Sequence, residues 1–293
     1  MNTNNYVRTD LAAESPVIES GNLPDGITTK NENLDIAYIS TVDVINDNGA
    51  EQIGKPIGTY VTVSFEKIWK LDDNTLNKLA DSISCVIKNV ASLTNEKKKF
   101  LIAGLGNRHI TSDSVGPLTV KEITVTSHLE KEEKQIFDIL KMQSISAITP
   151  GVIGETGIET LELIKGAVNS AKPDLLIVID ALCSKSVDRL ASTVQICNTG
   201  ISPGSGIGNK RHAINKDTVG VPVIAIGVPT MVSSSTLVYD ALEKAEITNI
   251  SDRLAEILEN GKSFFVTLNE NDVVISSLAS LIANSINTAL SLE

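Results

Sequence analysis

Aromatic side chains are scarce: Phe, Tyr and Trp make up 3% of the 293 residues. A core must therefore rest on Ile, Val, Leu and Ala, and a hydrophobic content of 42% leaves enough of them for an ordinary globular protein. The length suits one large domain or two small ones. Cysteine is nearly absent too. Cys85, Cys183 and Cys197 form no CxxC pair, and an odd count of three fits reduced cytosolic thiols rather than a disulfide framework. Cys85 lies in an apolar helical pattern and reads as core. The three histidines, His109, His128 and His212, are scattered, with no HExxH and no Cys/His cluster, so no metal site is evident. No apolar run approaches the ~18 residues of a membrane span. The N-terminus lacks the apolar core of a signal peptide, which makes the cytoplasm the expected location. Basic residues are outnumbered as well, 25 against 36 acids, for a net charge of −11. That balance argues against a nucleic-acid binder and suits a basic or neutral protein partner.

What is present has a clear order along the chain. Residues 1–33 are polar, show no sustained period and read as an arm or leader outside the core. Residues 36–46 and 59–65 alternate apolar and polar positions, with Asp47-Asn48-Gly49 between them as a turn signal, which predicts an added β-hairpin. Asp72 and Asp73 precede a helical pattern carrying Leu76, Leu79, Ile83, Val86, Ile87 and Val90 at spacings of three and four. Short apolar runs follow at 100–103, 175–179 and 221–226. Helical patterns occupy 158–171, 251–260 and the C-terminal stretch from Val274 to Ala289. Runs buried on both faces and alternating with helices predict an α/β fold, a mainly parallel central sheet with helices on both sides. There is no internal repeat, and residues 34–293 read as a single α/β domain.

Two strand ends carry the chemistry of interest. The first run ends in Gly104-Leu105-Gly106 and leads through His109 to Asp113. A dinucleotide fingerprint would need a third glycine at position 109, where His109 stands, so this signal for a nucleotide site is weak. The second run ends in Ile179-Asp180. In open α/β sheets, ligands gather beyond the carboxyl ends of the strands, so Asp113 and Asp180 are aimed at the same edge. Two neighbouring carboxylates repel, one pKa rises, and the pair can hold a single proton. Such a pair can activate water and polarise a peptide carbonyl. The competing readings are structural: Asp113 as a helix cap and Asp180 as a strand-terminal turn residue. A glycine-rich stretch at 199–211 ends in Lys210-Arg211 and reads as backbone that can approach a ligand closely or as a mobile surface loop; another, at 149–157, reads as a lid or a tight αβ connection.

The motifs themselves resemble a known family. GLGNRHITSDSVGP (104–117) and VIDAL (178–182) resemble the two catalytic segments of the germination proteases, and NDNGAEQIGKPIGTYVTV, SAITPGVIGETGIET, TVQICNTGISPGSGIGNKRH and VPVIAIGVPT are similar in the same order. The resemblance covers most of the chain from about residue 34. It implies an endopeptidase with Asp113 and Asp180 as catalytic pair, no required metal or cofactor, and a fold akin to hydrogenase-maturation endopeptidases. It also implies an inactive precursor whose leader, about residues 1–10, is removed by cleavage between Asp10 and Leu11. The sequence around that bond, from Arg8 to Glu14, resembles the family's maturation site and its substrates' cleavage sequence. Small acid-soluble spore proteins are the implied substrates, in the spore interior, and a homotetramer the implied assembly, with no direct contact to nucleic acid or membrane. A metal-assisted peptidase of the hydrogenase-maturation type is the nearest alternative, and a non-catalytic nucleotide-binding α/β protein a more distant one. Departures are Ser112 for the family's usual proline, Ser114-Val115 for Ala-Leu, and Cys183 and Lys185 for Ala and Arg.

Overall fold

The apolar runs near residues 100, 175 and 223 are strands in the computed structural model, which describes residues 8–204, 211–247, 250–261 and 264–292. Nine strands form one sheet among the described residues: β1 (Ile27–Asn33), β2 (Ala37–Val44), β3 (Gly58–Phe65), β4 (Lys99–Gly104), β5 (Ser144–Ile148), β6 (Leu175–Ser184), β7 (Thr193–Cys197), β8 (Val223–Ser233) and β9 (Phe265–Val266). Their order is β1-β2-β3-β7-β8-β6-β4-β5, with β9 beside β8. Only β4–β5, β4–β6 and β6–β8 are parallel pairs; the other five pairings are antiparallel. The expected mainly parallel sheet is thus corrected to a mixed one. Parallel neighbours need a connection that crosses back over the sheet, and the chain supplies such crossovers only in its central part, whereas β1, β2 and β3 are sequence neighbours that pair antiparallel without one.

The expected hairpin is β2 and β3, in antiparallel register from Ala37↔Phe65 to Val44↔Gly58. Its connection is not a tight turn. Asp47-Asn48-Gly49 opens a helix, Asp47–Ile53, because the Asn46 side chain accepts from the Gly49 N–H at 3.0 Å and caps it. The polar stretch read as an arm contributes β1, which pairs along β2. Its sequence, ITTKNEN, is exposed beyond Ile27, so this edge strand has no apolar period to betray it. Leu11 and Ala12 go deeper still and are fully buried.

Alternation along the central strands sorts the core into two faces. Phe100, Ile102, Ile177, Ile179, Ile224 and Ile226 meet the helices Asp73–Val90 and Asn271–Ala289 on one side. Leu101, Ala103, Leu176 and Val178 meet Leu161, Ile164 and Val168 of the helix Thr160–Ala171 on the other. Each fully buried Leu, Ile or Val contributes about 1.5–3 kcal/mol, so scarcity of aromatics is no obstacle to a core of this extent. Asp72 caps its helix by accepting from the Thr75 N–H at 2.7 Å. Cys85 corrects the reading of it as core: the buried stripe of that helix passes through Ile83, Ser84, Val86 and Ile87, and Cys85 faces solvent. Among the described residues, no helix is long and apolar enough to cross a membrane.

Candidate active site

Strand β4 stops at Gly104, and the Leu105 N–H donates to the Ile179 carbonyl at 2.8 Å, tying the exit of β4 to β6. The chain then bends back through Gly106, whose φ of +107° suits glycine. A Cβ at Gly106 would overlap the carbonyl oxygen of Asp113, which closes the loop with a single 3-10 turn, Thr111–Asp113. The following helix, Val115–Lys121, packs directly on the strand end. Methyl groups on Gly104 or Gly116 would collide with the backbone of Gly116 or Leu105 respectively. Close strand–helix packing is therefore supplied by Gly116, not by the missing glycine at 109. His109 is exposed, with Nε2 3.4 Å from Glu155 Oε1. Asp113 does not cap the helix; its Oδ2 accepts from the Asn107 N–H at 2.8 Å.

Asp180 is 5% exposed. It is not a strand-terminal turn residue, because β6 runs on to Ser184 and Asp180 pairs with Gly227 of β8. On its other flank β4 has already ended, its Gly104 opposite Ile179, so Asp180 stands on the overhang where the edge of the sheet opens. By alternation it shares the face of Leu176 and Val178. Its Oδ1 accepts from the Ala181 N–H at 3.0 Å. Asp113, Asp180 and Asp10 line one pocket together with Arg211. Burial, and after it the neighbouring carboxylates of Asp113 and Asp10, hold the Asp180 carboxyl well above the ordinary range. Burial raises Asp113 as well, with the Asn107 N–H and the Arg211 guanidinium opposing it. A dry carboxyl facing a second, partly compensated carboxylate is an arrangement that retains one proton between the two.

The N-terminal segment enters the same place. Asp10 donates its N–H to the Cys183 carbonyl and accepts the Cys183 N–H on Oδ2, both at 2.9 Å. Its own carbonyl accepts from Lys55 Nζ at 2.8 Å and Gln195 Nε2 at 3.2 Å. Leu11 is 1% exposed. The Ala12 N–H donates to Gln195 Oε1 at 2.7 Å. Glu14, also buried, accepts from the N–H groups of Lys185 at 2.6 Å and Ser186 at 3.2 Å, and from the Thr9 hydroxyl. Residues 10–14 are thus held along the end of β6 and the turn after it, with Asp10 at the pocket of the two acids.

Of the glycine-rich stretches, Gly151 and Val152 line the pocket, as do Gly204 and Arg211. Lys210 and residues 205–209 lie outside the described residues. Among the described residues no three His, Cys, Asp or Glu side chains are grouped to hold a metal ion. Sequence reasoning did not single out Lys55 or Gln195. Lys55 is one cation in a polar loop and Gln195 an amide inside a buried strand; both lie within segments that resemble the family, but nothing in those segments sets either side chain apart from its neighbours. Glu14 stood in the recognised leader motif, but nothing there signalled its burial.

A family model described as germination protease matches residues 9–245. The germination protease of Clostridium perfringens is 39% identical over 97% of this chain and 95% of that one. That of Caldanaerobacter subterraneus subsp. tengcongensis is 37% identical, covering 97% and 94%, and that of Clostridium acetobutylicum 36%, covering 98% and 95%. Among solved structures, the [NiFe] hydrogenase maturation protease HycI from Thermococcus kodakarensis aligns with 60% of this chain and 99% of its own, at 19% identity and a TM-score of 0.32.

Proposed function

The chain belongs to the germination protease family, and we propose that it is the precursor of an endopeptidase that cleaves after acidic residues with Asp113 and Asp180. The observation that carries the reading is the shared pocket: a buried and a half-buried carboxyl converge there with Asp10, the residue before the bond expected to be cut. Asp113, the less buried acid, with Asn107 and Arg211 favouring its charge, is the general base. It takes a proton from water as the water oxygen attacks the Asp10 carbonyl carbon. Asp180, dry and held protonated, gives its proton to the Leu11 nitrogen as the C–N bond breaks. The products are a new carboxylic acid on Asp10 and an amine on Leu11, between which the acid proton passes to give carboxylate and ammonium, and transfer of a proton from Asp113 to Asp180 restores the starting state.

In trans, the substrates are the small acid-soluble proteins of the dormant spore, met in the spore interior during germination. They would enter the groove that residues 10–14 occupy in the precursor. The working assembly is a homotetramer. The test is digestion of purified small acid-soluble spore protein, with and without chelator, by wild type, Asp113→Asn and Asp180→Asn. The expected outcome is cleavage after acidic residues, unaffected by chelator and slower by about 10²–10⁴-fold in each variant. Loss of activity with chelator would transfer the reaction to a metal-assisted mechanism. Undiminished variants would remove these aspartates from it.

A further inference from the structure

The carbonyl of the leader's Asp10 is held by two donors, neither of them from the aspartate pair. The Asp10 carbonyl oxygen receives two donors, Lys55 Nζ at 2.8 Å and Gln195 Nε2 at 3.2 Å. Gln195 does more than donate. Its Oε1 accepts from the Ala12 N–H at 2.7 Å, so one amide group bridges the residues on either side of Leu11 and spans the Asp10–Leu11 bond. Gln195 is 7% exposed and fixed within β7, where it pairs with Gly227 of β8 and Thr62 of β3. Lys55 follows Gly54, a left-handed residue that ends the helix Asp47–Ile53, and its backbone N–H donates to Ala50 at 3.2 Å. The backbone of each residue is held by the scaffold, by the Ala50 carbonyl for Lys55 and by β3 and β8 for Gln195, and each side chain reaches from there to the leader. They line a second pocket that adjoins the aspartates' pocket, and Asp10 lines both.

From this geometry we infer that Lys55 and Gln195 form the oxyanion-stabilising site of the enzyme, the electrophilic half of a reaction whose water-activating half is the aspartate pair. The inference rests on the reading of Asp113 and Asp180 given above and adds residues to it. As water attacks, the C=O double bond becomes a C–O⁻ single bond. The charge that grows on oxygen falls on the Lys55 ammonium and the Gln195 N–H, which are already aimed at it. When the C–N bond breaks, the electron pair returns to the C=O bond and the leaving nitrogen takes its proton from the carboxyl of the pair. Lys55 and Gln195 neither gain nor lose a proton. Donors fixed before the reaction in a site with little water stabilise such charge most strongly. The arrangement also explains an asymmetry of the groove: the aspartates have no obligatory part in holding the carbonyl, which leaves both free for proton transfer.

The test follows leader loss by intact mass in full-length Lys55→Met, Lys55→Arg and Gln195→Met, beside Asp113→Asn and Asp180→Asn. Lys55→Met should slow the first-order loss of residues 1–10 by about 10²–10³-fold, the effect typical of removing one oxyanion donor. Lys55→Arg, which keeps a charged donor, should recover most of the rate. Gln195→Met should slow it by roughly tenfold or more, and it serves should Lys55→Met fail to fold. On the matured fraction of each variant, hydrolysis of a peptide spanning residues 8–15 should show the loss in kcat with KM little changed, a split that a merely leader-holding role would reverse. Leader loss at the wild-type rate in Lys55→Met, or a defect confined to KM and equal in Lys55→Arg, would overturn the inference. Leader loss in both aspartate variants would overturn the underlying reading instead, so the two failures are distinguishable.

Discussion

Asp180 and Asp113 are residues of one type placed in different surroundings. Asp180 is dry and faces two other carboxylates, which the Ala181 N–H and the Arg211 guanidinium oppose only in part. Asp113 is less buried and has Asn107 and Arg211. A carboxyl whose folded pKa lies above its unfolded value favours the fold while protonated. That contribution is complete below the unfolded value and disappears as pH rises through the folded one. Asp180→Asn keeps the shape without the charge, so it should melt above wild type at pH 8, with the gap closing toward pH 4. Melting temperatures across that range check this, and a variant less stable than wild type at every pH would contradict it. Both aspartates were legible in the sequence because each follows an apolar run, and such runs end where α/β sheets bind ligands. Lys55 and Gln195 were not, since a contact with a segment 45 or 185 residues away leaves no local trace.

At the scale of elements, the site depends on how closely the helix Val115–Lys121 approaches the end of β4. Gly104 and Gly116 face each other with no room for a methyl group on either. Gly116→Ala should drive the helix off the strand, cost about 1–3 kcal/mol by overpacking and shift the Asp113 turn. A misplacement near 1 Å lowers the rate by about 10²-fold. Denaturant unfolding and leader-loss kinetics together check this; an unchanged rate in a stable variant would show that the approach does not position Asp113. The helices Asp73–Val90, Thr160–Ala171 and Asn271–Ala289 were legible from apolar spacing, as were β4, β6 and β8 from buried runs. The sheet's antiparallel majority was less so, because strand direction is set by connections and not by side-chain period. β1 was hidden for a different reason: an edge strand with one buried residue looks like a polar arm. The segment Asp47–Ile53 looked like a turn because asparagine, aspartate and glycine serve both turns and helix starts, and the capping bond from Asn46 settles the choice only in three dimensions.

Considered as one molecule, the chain holds part of itself, in the proposed reading, as a substrate would be held. Residues 10–14 are fixed by the end of β6, by β7 and by Lys55, while the acids wait at the same pocket. Tethering keeps the local concentration of this segment high without any partner. The proposed reaction requires a proton on Asp180 and none on Asp113. Leader loss should therefore slow as pH rises far enough to ionise Asp180, and slow again when acid protonates Asp113, giving a bell-shaped profile. First-order rates over a series of buffers check it, and a flat profile would mean that the pair does not titrate in the rate-limiting step. The most direct measurement is the intact mass of the purified protein over time at mildly acidic pH, with chelator present, beside Asp113→Asn and Asp180→Asn. Cleavage by the aspartate pair predicts that wild type loses residues 1–10 and both variants stay whole. A wild type that stays whole only when chelator is added, or variants that lose the same ten residues at the same rate, would contradict it.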